Sequence, residues 1–220
     1  MQPGRRKRFR VILVLLLAVI GATAGYHRYS TDSFVGAAES LSQEKMERFL
    51  FFGMDPNARD SQGRTALTVL AGASTDQPQL VNLLLESGAD PDAADAKGWT
   101  PLMTAAIAGR AGDVEALVRC QGDLAKLSGS SVPVDPGPRL GVMEALIKGG
   151  ATVDKATPEG LTALAMAIFA GRPEAVDLLM ASGANPNHRD SFEHSAWQYN
   201  VNRDRMREIA RLFTKHGYNN

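Results

Sequence analysis

Gly98 to Arg110 reads GWTPLMTAAIAGR. Gly98 supplies a turn. Thr100 can cap a helix by accepting a hydrogen bond from a backbone N–H of its first turn. Pro101 sits in that first turn, where a missing N–H costs little. Ala105, Ala106 and Ala108 keep the helix thin, so that a second helix can lie close. Gly109 then interrupts the run. A short, thin, capped helix cannot bury enough surface to stand alone, so the question is whether the stretch recurs.

It does. The Gly-x-Thr-[Ala/Pro]-Leu element appears as GRTAL (63–67), GWTPL (98–102) and GLTAL (160–164), with a worn copy EHSAW at 193–197. Its Thr or Ser falls at 65, 100, 162 and 195, in steps of 35, 62 and 33. The period is therefore near 33, with one double-length step. A second element keeps the same phase: FFGMDPN ends at Asn57, ESGADPD at Asp92, KGGATVD at Asp154 and ASGANPN at Asn187. Each follows a bulky apolar run of helical spacing (MERFLFF, LVNLLLE, VMEALIK, AVDLLMA), and REIARLFTKHGYN is a fifth copy. In the second run Leu80, Val81, Leu83, Leu84 and Leu85 carry the bulk, and Gly88 is suited to a left-handed helix end. The spacing, the alanines and the period count against strands of a sandwich. Units of this kind bury their apolar faces only by stacking.

Thr100–Ala105, with the repeated Gly-Ala-Asp/Asn element, resembles the ankyrin repeat family over about residues 33–220. The resemblance implies an all-α solenoid of about five helix-turn-helix units with hairpin tips, one unit degenerate or carrying an insertion. The expected divisions are a linker at 25–32, an N-terminal cap at 33–57, repeats at 58–92 and 155–187, and a C-terminal cap at 188–220. Residues 93–154 hold the break. The cap at 33–57 lacks the Thr-Pro-Leu start, as terminal repeats often do. Within the break, Pro133, Pro136 and Pro138 stand among glycines and serines in 123–141, a loop composition. Either one repeat carries a long insertion, or a whole repeat has lost its first helix. Helix-like segments on both sides, Asp113–Cys120 and Val142–Lys148, favour the second account.

The chain has 220 residues, 44% of them hydrophobic, enough for one domain with a core. Arg5, Arg6, Lys7, Arg8 and Arg10 precede an apolar run at Val11–Ile20, and Ala22-Thr23-Ala24 follows it. This reads as a signal peptide cleaved after Ala24, or as an uncleaved anchor with Tyr26 and Tyr29 at the interface. Only 17 residues lie between Arg10 and Arg28, near the lower limit for spanning a bilayer. Both readings export the repeat body, to the periplasm or outer side of the inner membrane if the source is bacterial. Membrane contact is expected only through the N-terminal segment, in the case that it is not cleaved. Removing residues 1–24 takes away five of the 24 basic residues and no acid, leaving a net charge of about −5. A mildly acidic body does not fit non-specific nucleic-acid binding. Cys120 is the single cysteine, so no intrachain disulfide or thiolate metal site forms, and it reads as a small buried side chain.

No catalytic constellation stands out, and no cofactor or metal is expected. His188 and His194 lie near Asp190 and Glu193, but no ligand spacing of a known kind is met. Asp55, Asp60, Asp90, Asp92, Asp95 and Asp190 sit at turns, where Asp caps backbone N–H groups. Recognition is what remains. The resemblance implies that turn tips and the first-helix face of a monomer bind another protein. Carried over by position, the candidate partner-binding residues are Arg64, Lys97, Trp99, Ile107, Leu161, Phe169, Phe192 and His194. The expectation is that Trp99, Ile107, Leu161, Phe169 and Phe192 form an exposed apolar stripe, since large exposed patches mark interaction sites. An immunity-type inhibitor of an exported toxin, or an accessory factor for an envelope enzyme, fits the same pattern.

Overall fold

The threonine of each repeated element caps a helix. A computed structural model describes residues 30–107, 139–199 and 205–218. In it, Thr65 and Thr68 cap reciprocally at the start of α3 (Ala66–Ala71): Thr65 Oγ1 accepts from the Thr68 N–H, and the Thr65 N–H donates to Thr68 Oγ1. Thr100 Oγ1 accepts from the Met103 N–H in α5 (Pro101–Ile107), and Thr162 Oγ1 from the Ala165 N–H in α7 (Ala163–Phe169). Each bond satisfies a donor that the helix start leaves open. Prolines open the second helices α4 (Pro78–Glu86) and α8 (Pro173–Ala181).

The first unit is complete. α1 (Thr31–Glu39) is capped by Ser30, whose hydroxyl accepts from the Ser33 N–H, and it packs on α2 (Gln43–Phe51). The unit thus has a capped first helix without the Thr-Pro-Leu signature, and the helix begins two residues before position 33. In the last unit a short 3-10 turn, Ala196–Tyr199, stands in the first-helix place, followed by α9 (Met206–Lys215). First helices pack in one row: α1 on α3, α3 on α5, α5 on α7, α7 on the 3-10 turn. Second helices form a parallel row in which α4 lies against α6 (Leu140–Lys148), α6 against α8 and α8 against α9.

This stacking decides the double-length step, and against the expected lost helix. α5 lies directly on α7, and α6 packs on α5 while filling the outer row between α4 and α8. One repeat therefore carries an insertion between its first and second helices. Asp113–Cys120 and residues 123–138 lie outside the described residues. Leu140 and Gly141, expected in the loop, are the first residues of α6. After so long an interruption α6 has no cap of its own. Asp76, from the preceding unit, supplies one: its two carboxylate oxygens accept the Gly141 and Val142 N–H groups, each at 2.8 Å. Beside it, buried Arg139 donates from Nε to the Ala73 carbonyl.

The core runs along both rows, with Leu67, Leu70, Leu84, Leu102, Met103, Leu146, Leu164 and Leu179 buried. Small residues let the first helices approach, as the 33-residue pattern requires. Among the described residues no helix is long and apolar enough to cross a membrane; Val11–Ile20 lies outside them.

Candidate protein-binding surface

Each unit after the first opens with the same tight hairpin. The Asp60, Asp95, Thr157 and Asp190 N–H groups donate to the carbonyls of Arg64, Trp99, Leu161 and His194, four residues on. The side chain that begins each turn braces it. Asp95 Oδ1 accepts from the Lys97 and Trp99 N–H groups, Asp60 Oδ1 from Gln62 and Arg64, and Asp190 Oδ1 from Phe192 and His194. Thr157 does the same for Leu161 with its hydroxyl. These bonds explain the turn aspartates as caps, as expected. The fourth turn position needs positive φ: Gly98 has +79°, while Glu193 in the worn copy is held at +61°, a conformation that costs a residue with a Cβ.

The tips stack into one continuous row across the insertion. A Cβ on Gly98 would come within 2.5 Å of Pro158 Cδ, and one on Gly160 within 2.7 Å of Asp190 Cα. A side-chain ladder runs beneath. Asn57 Oδ1 accepts from the Asp90 N–H, Asp92 Oδ1 from Thr152 and Asp154 Oδ1 from Asn185. Neighbouring units are thus tied tip to tip. The side chains facing outward are Ser61, Gln62, Ala96, Lys97, Pro158, Ser191 and Glu193, with Glu159 and Phe192 partly covered.

The expected apolar stripe is not on this surface. Trp99 is only 5% exposed, and Leu161, Ile107 and Phe169 are also buried. The reason is spacing. The tips touch, so Trp99 and Leu161, which follow the turn glycines Gly98 and Gly160, are covered instead of standing in solvent. Lys97 covers the Trp99 ring with its ammonium 5.6 Å from the centroid. Along the first-helix face, Val69, Gly72 and Thr104 remain accessible, whereas Met166, Phe169 and Ala170 are buried.

Arg64 is half-buried and engaged. Its guanidinium pairs with Asp60 and with Glu39 of α1, both at 2.7 Å. Burial alone would raise the Asp60 carboxyl, but the Arg64 backbone N–H and guanidinium, with the Gln62 N–H, hold it below the usual aspartate range. Phe192 and His194 are half-buried and meet at 6.4 Å. His194 stands edge-on to Tyr199, and Tyr199 to Phe169. The Tyr199 hydroxyl donates to Asp190, and burial first, then that bond and the carboxylate charge, push its pKa up. The structure therefore joins Phe169, Phe192 and His194 into one cluster and leaves Arg64, Lys97 and Trp99 on other tips. Tyr199, the residue that links the cluster, carries no motif signal.

The most exposed aromatics among the described residues carry no signal in the sequence either. Phe51 is 80% and Phe52 55% exposed at the end of α2, where the run MERFLFF reads as core. Among the described residues, no three His, Cys, Asp or Glu side chains converge as metal ligands do.

Comparison with known families matches residues 34–126 to ankyrin repeats in three copies and residues 159–191 to a single ankyrin repeat. No curated protein matches the chain.

Proposed function

The chain belongs to the ankyrin repeat family, a family of protein-interaction modules, and from that premise we propose that it captures a partner protein along its row of hairpin tips without catalysing a reaction. The observation that carries this reading is the continuity of the row. Four braced tips keep one register although 62 residues separate the second and third threonines. A rigid, preformed surface binds without the cost of ordering its loops. Gln62, Lys97, Glu159 and Phe192 occupy the same place on successive tips, giving a polar row that ends in a half-buried aromatic cluster. Aromatic anchors with polar surroundings suit such recognition. The surface is thus more polar than an apolar stripe would be, and Trp99, Ile107, Leu161 and Phe169 act beneath it as support.

The basic head, apolar run and small residues of the N-terminus support an exported location for the body, cleaved free or tethered at the outer side of a membrane. An inhibitor of an exported toxin and an accessory factor for an envelope enzyme would use the same row and differ in the partner's identity.

The test compares crosslinked capture from a membrane-and-envelope fraction by the wild type and by a Lys97→Glu, Phe192→Ala double variant. One dominant protein, lost in the variant while its melting curve stays unchanged, is the expected result. Equal recovery of the same protein from both would remove the tip row as the binding surface.

A further inference from the structure

Every second helix in the stack ends at a glycine of positive φ: Gly53, Gly88, Gly150, Gly183 and Gly217. Aligned on that glycine, the Phe51 place holds Glu86, Lys148, Ala181 and Lys215 in the other units, and the Phe52 place holds Ser87, Gly149, Ser182 and His216. Four units put polar or small residues where the first puts two aromatic rings, packed edge to face at 5.4 Å and open to solvent. Two adjacent exposed aromatics need a reason, because exposing them forgoes the benefit of burial.

Their place in the fold supplies one. α1 and α2 are joined by three residues and pack side by side, with Phe34, near the start of α1, against Phe49, near the end of α2. The helices are antiparallel, so the start of α1 and the end of α2 lie at the same end of the unit. Phe51 and Phe52 therefore stand at the end where residues 1–30 join the body. Those residues carry the apolar run Val11–Ile20 behind five cations. From Ile20 to the start of α1 there are ten residues, which reach at most roughly 35 Å fully extended.

We infer that Phe51 and Phe52 are a membrane-interface contact, in which the two rings enter the headgroup region of the bilayer that holds the N-terminal segment and so orient the first unit against it. The inference rests on the tethered form of the proposed location. Phenylalanine rings on the apolar side of a surface-lying segment bury at the headgroup–acyl boundary. Exposed Lys45 and Arg48 on the same helix are balanced by exposed Glu44 and Glu47, so the rings, and not charge, carry the contact.

The test uses the full chain reconstituted in vesicles of phosphatidylcholine and phosphatidylglycerol, with and without lipids brominated in the upper acyl chain. Phe51→Trp adds a reporter at the proposed contact, and Lys148→Trp adds one at the matching place of the third unit. The wild type supplies the background from Trp99 and Trp197. The expected result is flotation of all three proteins. Bromination should then remove most of the emission added by Phe51→Trp and none of that added by Lys148→Trp. Flotation without quenching of the Phe51→Trp reporter overturns the contact while leaving the tether standing. A chain that fails to float overturns the tether and the contact with it. A Phe51→Trp emission that shifts blue with protein concentration and ignores bromolipid would assign the rings to a second copy of the chain, which also overturns the inference. Both replaced side chains are solvent-facing, so matching melting curves confirm that each variant folds.

Discussion

Trp99 stands beside the hairpin glycine Gly98, and its burial follows from how closely Gly98 and Pro158 approach. A tryptophan in a tip motif resembles a binding anchor; here it is a wedge between two tips, lidded by Lys97. Trp99→Ala should therefore lower stability by about 3–5 kcal/mol, the usual cost of removing a buried Trp. Urea unfolding reads this directly, and a loss below about 1 kcal/mol would return Trp99 to the surface. Asp60 gives a second residue-scale expectation. Its folded pKa is depressed, so its contribution is present above the ordinary aspartate value of about 3.9 and disappears as pH falls through the folded value. Acid unfolding of Asp60→Asn should show a shallower loss of stability below about pH 4 than the wild type. Parallel curves would mean that the Arg64 contact contributes little.

Among the elements, α6 shows how tertiary context replaces a missing local signal. The first helices α3, α5 and α7 use a threonine three residues before a bonded N–H; α6 follows a long interruption and Arg139, which gives no side-chain cap. Asp76 reaches across from the previous unit and takes that place. The pair lies 65 and 66 residues apart, so local sequence patterns cannot reveal it. Asp76→Ala should cost about 1 kcal/mol, typical for loss of a helix cap. Amide exchange should quicken first at Gly141 and Val142, and uniform quickening across all units would contradict a local cap. α2 is the opposite case. Its apolar run is legible as a helix, yet the sequence cannot say which of Phe49, Phe51 and Phe52 faces inward. Packing against α1 buries Phe49 and leaves the other two outside.

For the whole molecule, the decisive contact is α6 directly on α4 in the outer row, beside α5 on α7 in the inner one. It makes the third unit a single repeat interrupted between its helices. Removing residues 111–138 would leave four residues between α5 and α6, close to the three that join α7 to α8. The shortened chain should keep one cooperative melting transition, since closing a shorter loop changes the entropy by only about 2 kcal/mol. Two transitions, or loss of helical signal equal to a full unit, would show that the stack depends on the removed residues.

The sequence by itself determined the repeat, the all-helical class, the threonine caps and the turn aspartates. Each depends on interactions within a few residues, and a period of about 33 exposes them by repetition. Tertiary structure alone decided which large side chains are buried, how the interruption is accommodated and where the exposed aromatics gather. Those outcomes depend on how closely neighbouring units approach. Tips that touch hide Trp99 and Leu161, the Tyr199 ring packs on Phe169 at the end of α7, and the first unit, with no repeat before it among the described residues, is where Phe51 and Phe52 keep most of their surface exposed.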